Sequence, residues 1–126
     1  MSKPESLNGY RDLIVWQKAR ELVTDIYRIT KVFPKDELYG LTSQLRRAGL
    51  SIASNLAEGH GRNSRSEFHH FVGISRGSLS EVETQLEIAK GLGYLESSSA
   101  DELLRKSAIL GRMLTGLRSW SARRTC

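Results

Sequence analysis

Two polar stripes hold most of the residue types that could do chemistry in this chain. In LTSQLRRAGLSIASNLAEGHGR, residues 41–62, Gln44, Arg47, Ser51, Asn55 and Glu58 recur every three or four positions. At about 100° per residue they fall within a helical sector roughly 80° wide. Further along, Ser78, Glu81 and Gln85 repeat that spacing, flanked by Ile74 and Ile88. Carboxylates, hydroxyls and an arginine on adjoining faces suit either acid–base chemistry or buried ion pairs. A serine nucleophile needs a base held within hydrogen-bond reach. No histidine or lysine falls on either stripe at matching spacing. No catalytic residue is therefore assigned, and the chain is read as a non-enzyme.

Metal chemistry is not expected either. The histidines are His60, His69 and His70. Adjacent helical positions point about 100° apart, so His69 and His70 do not converge. Di-iron sites in helical bundles draw on two Glu-x-x-His pairs, and the sequence offers one, Glu67 to His70. The glycine turn EGHGR lacks the Lys-Ser/Thr of a phosphate loop and follows a helix rather than a strand. No cofactor, metal or small-molecule substrate is expected.

Basic residues offer a different chemistry. Arg62, Arg65, His69 and Arg76 fall within about 60° of one helical face. With Arg46 on the preceding helix, they are the candidates for phosphate contacts to RNA or DNA. Lys3, Arg11, Arg118, Arg123 and Arg124 add charge near the two ends. The formal charge of +5 favours a polyanionic partner. Glu83 and Glu87 continue the same face, as on an ordinary solvated surface. No recognition-helix, RNP, KH or zinc-finger signature occurs, so binding would run through the backbone and be salt-sensitive.

These residues must be carried by helices. Both prolines, Pro4 and Pro34, lie outside the periodic segments, and no alternating strand-like runs occur. The first helix is expected over 12–32, capped by Asp12 and stopped by FPKDE. Its face is Leu13, Trp16, Ala19, Val23, Ile26, Tyr27 and Thr30. The second spans 37–58 and ends at Gly59, with Gly49, Ala53 and Ala57 allowing a neighbour to approach closely. The third spans 64–92, opened by a Ser64–Glu67 capping box. Its face includes Phe68, Phe71, Ser75, Leu79, Val82 and Leu86. The fourth opens on a Ser99–Glu102 box and ends near Trp120. Connections of about four to six residues make consecutive helices antiparallel neighbours. The expectation is an all-α, antiparallel up-down-up-down four-helix bundle: one domain, 1–126, with an ordered core of about 10–120.

The chain of 126 residues can bury a core without disulfides or metals. Its single cysteine, Cys126, is the last residue, which fits a reducing compartment. No apolar run is long enough to span a membrane and the N-terminus does not read as a signal peptide. A cytoplasmic location with no membrane contact is expected.

The stripes beside the core imply helices covered on two sides, and hence self-association. The fourth helix adds Ile109, Met113 and Trp120 to the same pattern. If the second and third helices pivot near Arg62, Arg47 meets Glu81, and Gln44 meets Ser80 or Glu83. Arg47 and Glu81 are expected to form a partly buried ion pair that fixes register more than it stabilises.

The segments DLIVWQKARELV, LTSQLRRAGLSIASNLAEGHGR and GSLSEVETQLEIAKGLGYL, with FP after the first helix, resemble a known family. It is the four-helix-bundle proteins encoded in 23S ribosomal RNA intervening sequences, also called the S23 ribosomal protein family. The likeness covers about 10–117, with RRA at 46–48, NLAEG at 55–59 and GSL at 77–79. The proline often seen after Ser-Ile is here Ala53. The resemblance implies a homopentamer with a central channel. It also implies a distant likeness to the accessory protein of diversity-generating retroelements, a basic pentameric barrel that binds nucleic acid and a reverse transcriptase.

Two functions follow as expectations. The first is a non-enzymatic, oligomeric nucleic-acid-binding protein linked to ribosomal RNA. Arg46, Arg62, Arg65, His69 and Arg76 would bind it, and Gln44, Arg47, Ser51, Asn55, Glu58, Ser78, Glu81 and Gln85 would hold helices or subunits together. The alternative is an oligomeric scaffold or adaptor for a protein partner.

Overall fold

The computed structural model describes residues 9–122; Lys3, Pro4, Arg123, Arg124 and Cys126 lie outside them. The described residues form four α-helices and no strand: α1 Ile14–Ile29, α2 Leu41–His60, α3 Arg65–Gly91 and α4 Ser97–Ala122. Short 3-10 turns occupy Gly9–Asp12, Thr30–Val32 and Lys35–Glu37. The all-helical bundle is as the periodicity demands, while several helix ends differ from expectation.

At the start of α1 the chain first makes a 3-10 turn, so Leu13, not Asp12, takes the cap position, with no side-chain cap bond. The other end tightens at Thr30, whose hydroxyl donates to the Ile26 carbonyl at 2.8 Å. Phe33 then turns extended before Pro34, as a residue preceding proline prefers.

Helix α2 begins at Leu41 rather than near Glu37. Glu37 instead reaches back from the preceding turn, accepting the Leu41 N–H at 2.9 Å and the Tyr94 hydroxyl at 2.8 Å. It satisfies an N-terminal donor from outside the helix. Gly40 makes the approach possible, because a Cβ there would lie 2.7 Å from Glu37 Oε1. Two hydrogen bonds hold the carboxyl below its usual pKa, the Leu41 amide first and Tyr94 second.

The Ser64 cap forms as expected, with the Glu67 N–H on Ser64 Oγ at 3.0 Å. Helix α4 starts two residues early, at Ser97. Ser99 therefore lies inside its first turn rather than capping it.

The core runs through all four helices: Leu22 and Ile26 of α1, Leu45 and Ile52 of α2, Val82 and Leu86 of α3, Leu110 and Leu114 of α4. Phe68 and Phe71, expected as core, are only half-buried, and Tyr27 is exposed. Each consecutive pair of helices packs together, and α1 against α4 closes the ring. The contacts run in opposite chain directions. Gly49 meets Ile26, and Arg46 meets Thr30, between α1 and α2. Gly59 meets Phe71, and Ser78 meets Ser51, between α2 and α3. Lys90 pairs with Asp101, and His69 with Ser121, between α3 and α4. This pattern agrees with an up-down-up-down order.

Candidate nucleic-acid interface and the polar groove

Helix α3 projects a basic row onto α4. The Arg65 guanidinium stacks over Trp120, 4.0 Å from the ring centroid, and donates to the Trp120 carbonyl at 3.1 Å. His69 Nδ1 lies 2.8 Å from Ser121 Oγ. Arg76 Nε donates to Thr115 Oγ1 at 3.0 Å. Arg62 sits just before α3, pairing with Glu58 at 2.6 Å and lying over the Phe71 ring. Arg65, His69 and Arg76 thus lie along the α4 side of α3, whereas Arg62 lies on Glu58 and Phe71 and shares with Arg65 only the cavity at the end of the seam.

Arg46 does not join them. It lies between α1 and α2, where its Nε donates to Thr30 Oγ1 at 2.8 Å and its guanidinium covers the Tyr27 ring. That geometry fastens the end of α1 to α2.

The α3–α4 seam also contains residues that sequence reasoning did not single out as partners. Arg118 enters beside Gly73, where a Cβ would lie 3.2 Å from its Nε. That Nε is buried without a hydrogen-bond partner. Arg112 and Thr115 line a groove with Arg76, Ser80 and Glu83. Burial raises the Glu83 carboxyl above its usual pKa. The three-residue spacing of Arg112, Thr115 and Arg118 was the signal available in the sequence. At the open end of the seam, a cavity of about 660 Å³ lies between Phe68, Leu117, Trp120 and Leu13, with Arg62 and Arg65 on its rim.

The polar stripes meet on the other flank of α3. Ser78 Oγ donates to Ser51 Oγ at 2.8 Å, and Asn55 Nδ2 reaches the same hydroxyl at 3.0 Å. Ser75, fully buried, donates to the Ile52 carbonyl at 2.9 Å. Gln44, Arg47, Ser51, Ser78, Glu81 and Gln85 line one groove, together with Tyr39. The expected Arg47–Glu81 ion pair does not form; the two share the groove, both exposed, and their charges remain unpaired in the subunit. Long side chains on a wide, solvated groove lose more freedom by pairing than they gain in attraction. Gln44 faces Glu81 and Gln85, whereas Ser80 and Glu83 line the opposite, α4 side of α3. Glu58 lies outside the groove, on Arg62. Gln85 Oε1 is buried without a partner.

By helical spacing the exposed apolar residues Ile74 and Ile88 (48% exposed) of α3 fall on the same flank, as does Leu92 (56%) just past its end. Tyr39, which lines the groove, is 92% exposed. Ile109 and Trp120 of the α4 stripe are exposed as well, while Met113 packs partly into the core. Among the described residues, no cluster of three or more His, Cys, Asp or Glu could hold a metal ion, and no helix is long and apolar enough to cross a membrane.

Comparison with known proteins agrees with the resemblance. The solved structures that match include a crystal structure of a protein of unknown function from the S23 ribosomal protein family of Bacteroides thetaiotaomicron. It is 21% identical, covers 83% of this chain and 98% of its own, and superposes with a TM-score of 0.75. At that identity the likeness establishes the fold. No curated protein matches the sequence. The family model described as 23S rRNA-intervening sequence protein matches residues 11–116. The match takes in all of α1, α2 and α3 and most of α4, and the chain belongs to that family.

Proposed function

We propose that this protein is a non-enzymatic, oligomeric nucleic-acid-binding protein of the cytoplasm, with RNA, and ribosomal RNA first, as its polyanion. The observation that carries the reading is the row of Arg65, His69 and Arg76 on α3, met from α4 by Arg112 and Arg118. From 65 to 76 a helix rises roughly 16 Å, which matches about five nucleotides of stacked strand. Each guanidinium carries five N–H donors, and those in this row spend only one or two inside the subunit. The family's description, which ties its members to 23S rRNA, supports RNA over DNA.

Oligomerisation supports the reading by multiplying a modest charge. The groove between α2 and α3 holds Arg47 and Glu81 unpaired and is lined by Tyr39, with Ile88 and Leu92 exposed on the same flank. A second copy would cover apolar area and give both charges partners. The family resemblance implies a homopentamer for that assembly.

Electrophoretic mobility shift across a salt series tests the function. Binding at low salt that weakens steeply as salt rises supports it. No binding at low salt transfers the weight to the second reading, a scaffold for a protein partner. The exposed apolar residues beside the polar groove favour that alternative.

A further inference from the structure

The cavity at the open end of the α3–α4 seam differs in character from the rest of the basic face. Its volume, about 660 Å³, lies within the range of small-molecule and cofactor sites. Phe68, Leu117 and Leu13 give it an apolar wall. Trp120 adds a ring that is 44% exposed, a large apolar surface for a side chain at a helix end. Phe68 meets Trp120 edge-on, with centroids 6.1 Å apart, and Arg65 stacks on the same indole. The rim carries Arg62 and Arg65, and no carboxylate lines the cavity.

Resting on the nucleic-acid reading above, we propose that this cavity is a nucleobase pocket, which takes an unstacked base of a single-stranded nucleic acid against Trp120 while Arg62 and Arg65 hold its phosphates. An aromatic platform beside positive charge is how proteins hold single strands with little regard to sequence, because every base has a π-face. The wall is apolar and the rim cationic, so the fitting ligand is flat and anionic at one edge. A purely apolar peptide would leave Arg65 without a counter-charge, while Arg62 already has one in Glu58. A duplex keeps its bases stacked and paired, so it can reach the rim but not the wall.

The test uses the full chain carrying Trp16→Phe, which leaves Trp120 as the one tryptophan. Its fluorescence is titrated with a single-stranded RNA of about twelve nucleotides, within the usual site size, and with a duplex of the same length. The single strand should quench Trp120 and the duplex should not. Trp120→Ala should weaken single-strand binding about 5- to 150-fold, the factor that one base–aromatic stack supplies, and leave duplex binding unchanged. Trp120→Phe keeps a ring and should retain most of the affinity, which separates stacking from damage to the end of α4. Single strands that bind with a steep salt dependence yet leave Trp120 emission unmoved overturn the pocket and spare the function. Equal losses for both ligands in Trp120→Ala overturn it too. A fall in particle mass in that variant makes the cavity a contact between copies instead. Absence of binding by either nucleic acid overturns both readings.

Discussion

Ser78 Oγ donates to Ser51 Oγ across 2.8 Å, joining α3 to α2 through two hydroxyls at the floor of the polar groove. Ser51 also accepts from Asn55, so a three-residue network stands where a bundle ordinarily has aliphatic contact. Ser78→Ala removes one donor and leaves Ser51 still served by Asn55. The expected loss is about 0.5–1.5 kcal/mol, the net worth of an ordinary hydrogen bond. Urea unfolding of Ser78→Ala, Ser51→Ala and the double variant gives the coupling directly. Strictly additive losses would show that the two hydroxyls do not support each other.

Gly59 lets α2 and α3 approach closely: a Cβ on it would lie 2.8 Å from Phe71 Cβ. Alanine ordinarily favours a helix over glycine by up to about 1 kcal/mol. Here the overpacking, about 1–3 kcal/mol, outweighs that gain. Gly59→Ala should therefore lower the thermal midpoint, read by circular dichroism. A raised midpoint would mean that the α2–α3 contact yields more easily than its geometry implies.

Glu37 makes stability depend on pH at the start of α2. Its carboxyl titrates below the ordinary 4.5, because the charged form accepts the Leu41 amide and the Tyr94 hydroxyl. A depressed folded pKa contributes stability above the unfolded value, and the contribution fades as pH falls through the folded one. The same bond raises the Tyr94 phenol above its ordinary 10.0. Its share is present below that value and is lost as pH rises through the higher folded one. Glu37→Gln should unfold at lower urea than the parent at pH 7, and the gap should narrow below pH 4.5. A gap that is constant with pH would assign the effect to shape rather than charge.

The Arg76 side chain lies along the α3–α4 seam, bonded to Thr115, with Arg112 lining the same groove. If it contacts one phosphate, Arg76→Ala weakens RNA binding about equally for all sequences and lowers the salt slope by about one. Arg46→Ala makes the informative contrast. Its guanidinium is bound to Thr30 and Tyr27 at the far side of α2, so it should alter stability more than affinity. Mobility-shift titrations at several salt concentrations separate the two.

Much of the fold was legible because the helical period is carried by apolar residues at fixed spacing, and a period survives small errors of register. Ser78 and Ser51 lie on the two stripes, but their contact was not among the pairs the expected register named. Arg47 and Glu81 reached the same groove, but helical spacing fixes direction to within tens of degrees and cannot say whether two flexible side chains will touch. Glu37 illustrates a different limit. Its carboxylate favours a helix start in sequence, and the chain uses it one turn before the helix, because Gly40 bends the backbone and Tyr94 is brought from residue 94 by the fold. The cavity at Trp120 was hidden for the same reason, since its walls come from the start of α1, the α2–α3 turn, the start of α3 and the end of α4.

Self-association is the expectation on which the polar groove bears most directly. Ile88 of α3 and Leu92 just past its end are about half exposed and take no part in the subunit core. A charge placed at either should cost the isolated subunit little, within about 0.5 kcal/mol for a surface position. Buried between copies, the same charge would lack a partner and oppose assembly by several kcal/mol. Ile88→Asp should therefore lower the particle mass seen by light scattering while leaving helical content intact. Restoring the mass by raising protein concentration would confirm a weakened interface rather than a damaged fold. A parent protein that already scatters as a 14.1 kDa monomer would remove the second copy from the groove altogether.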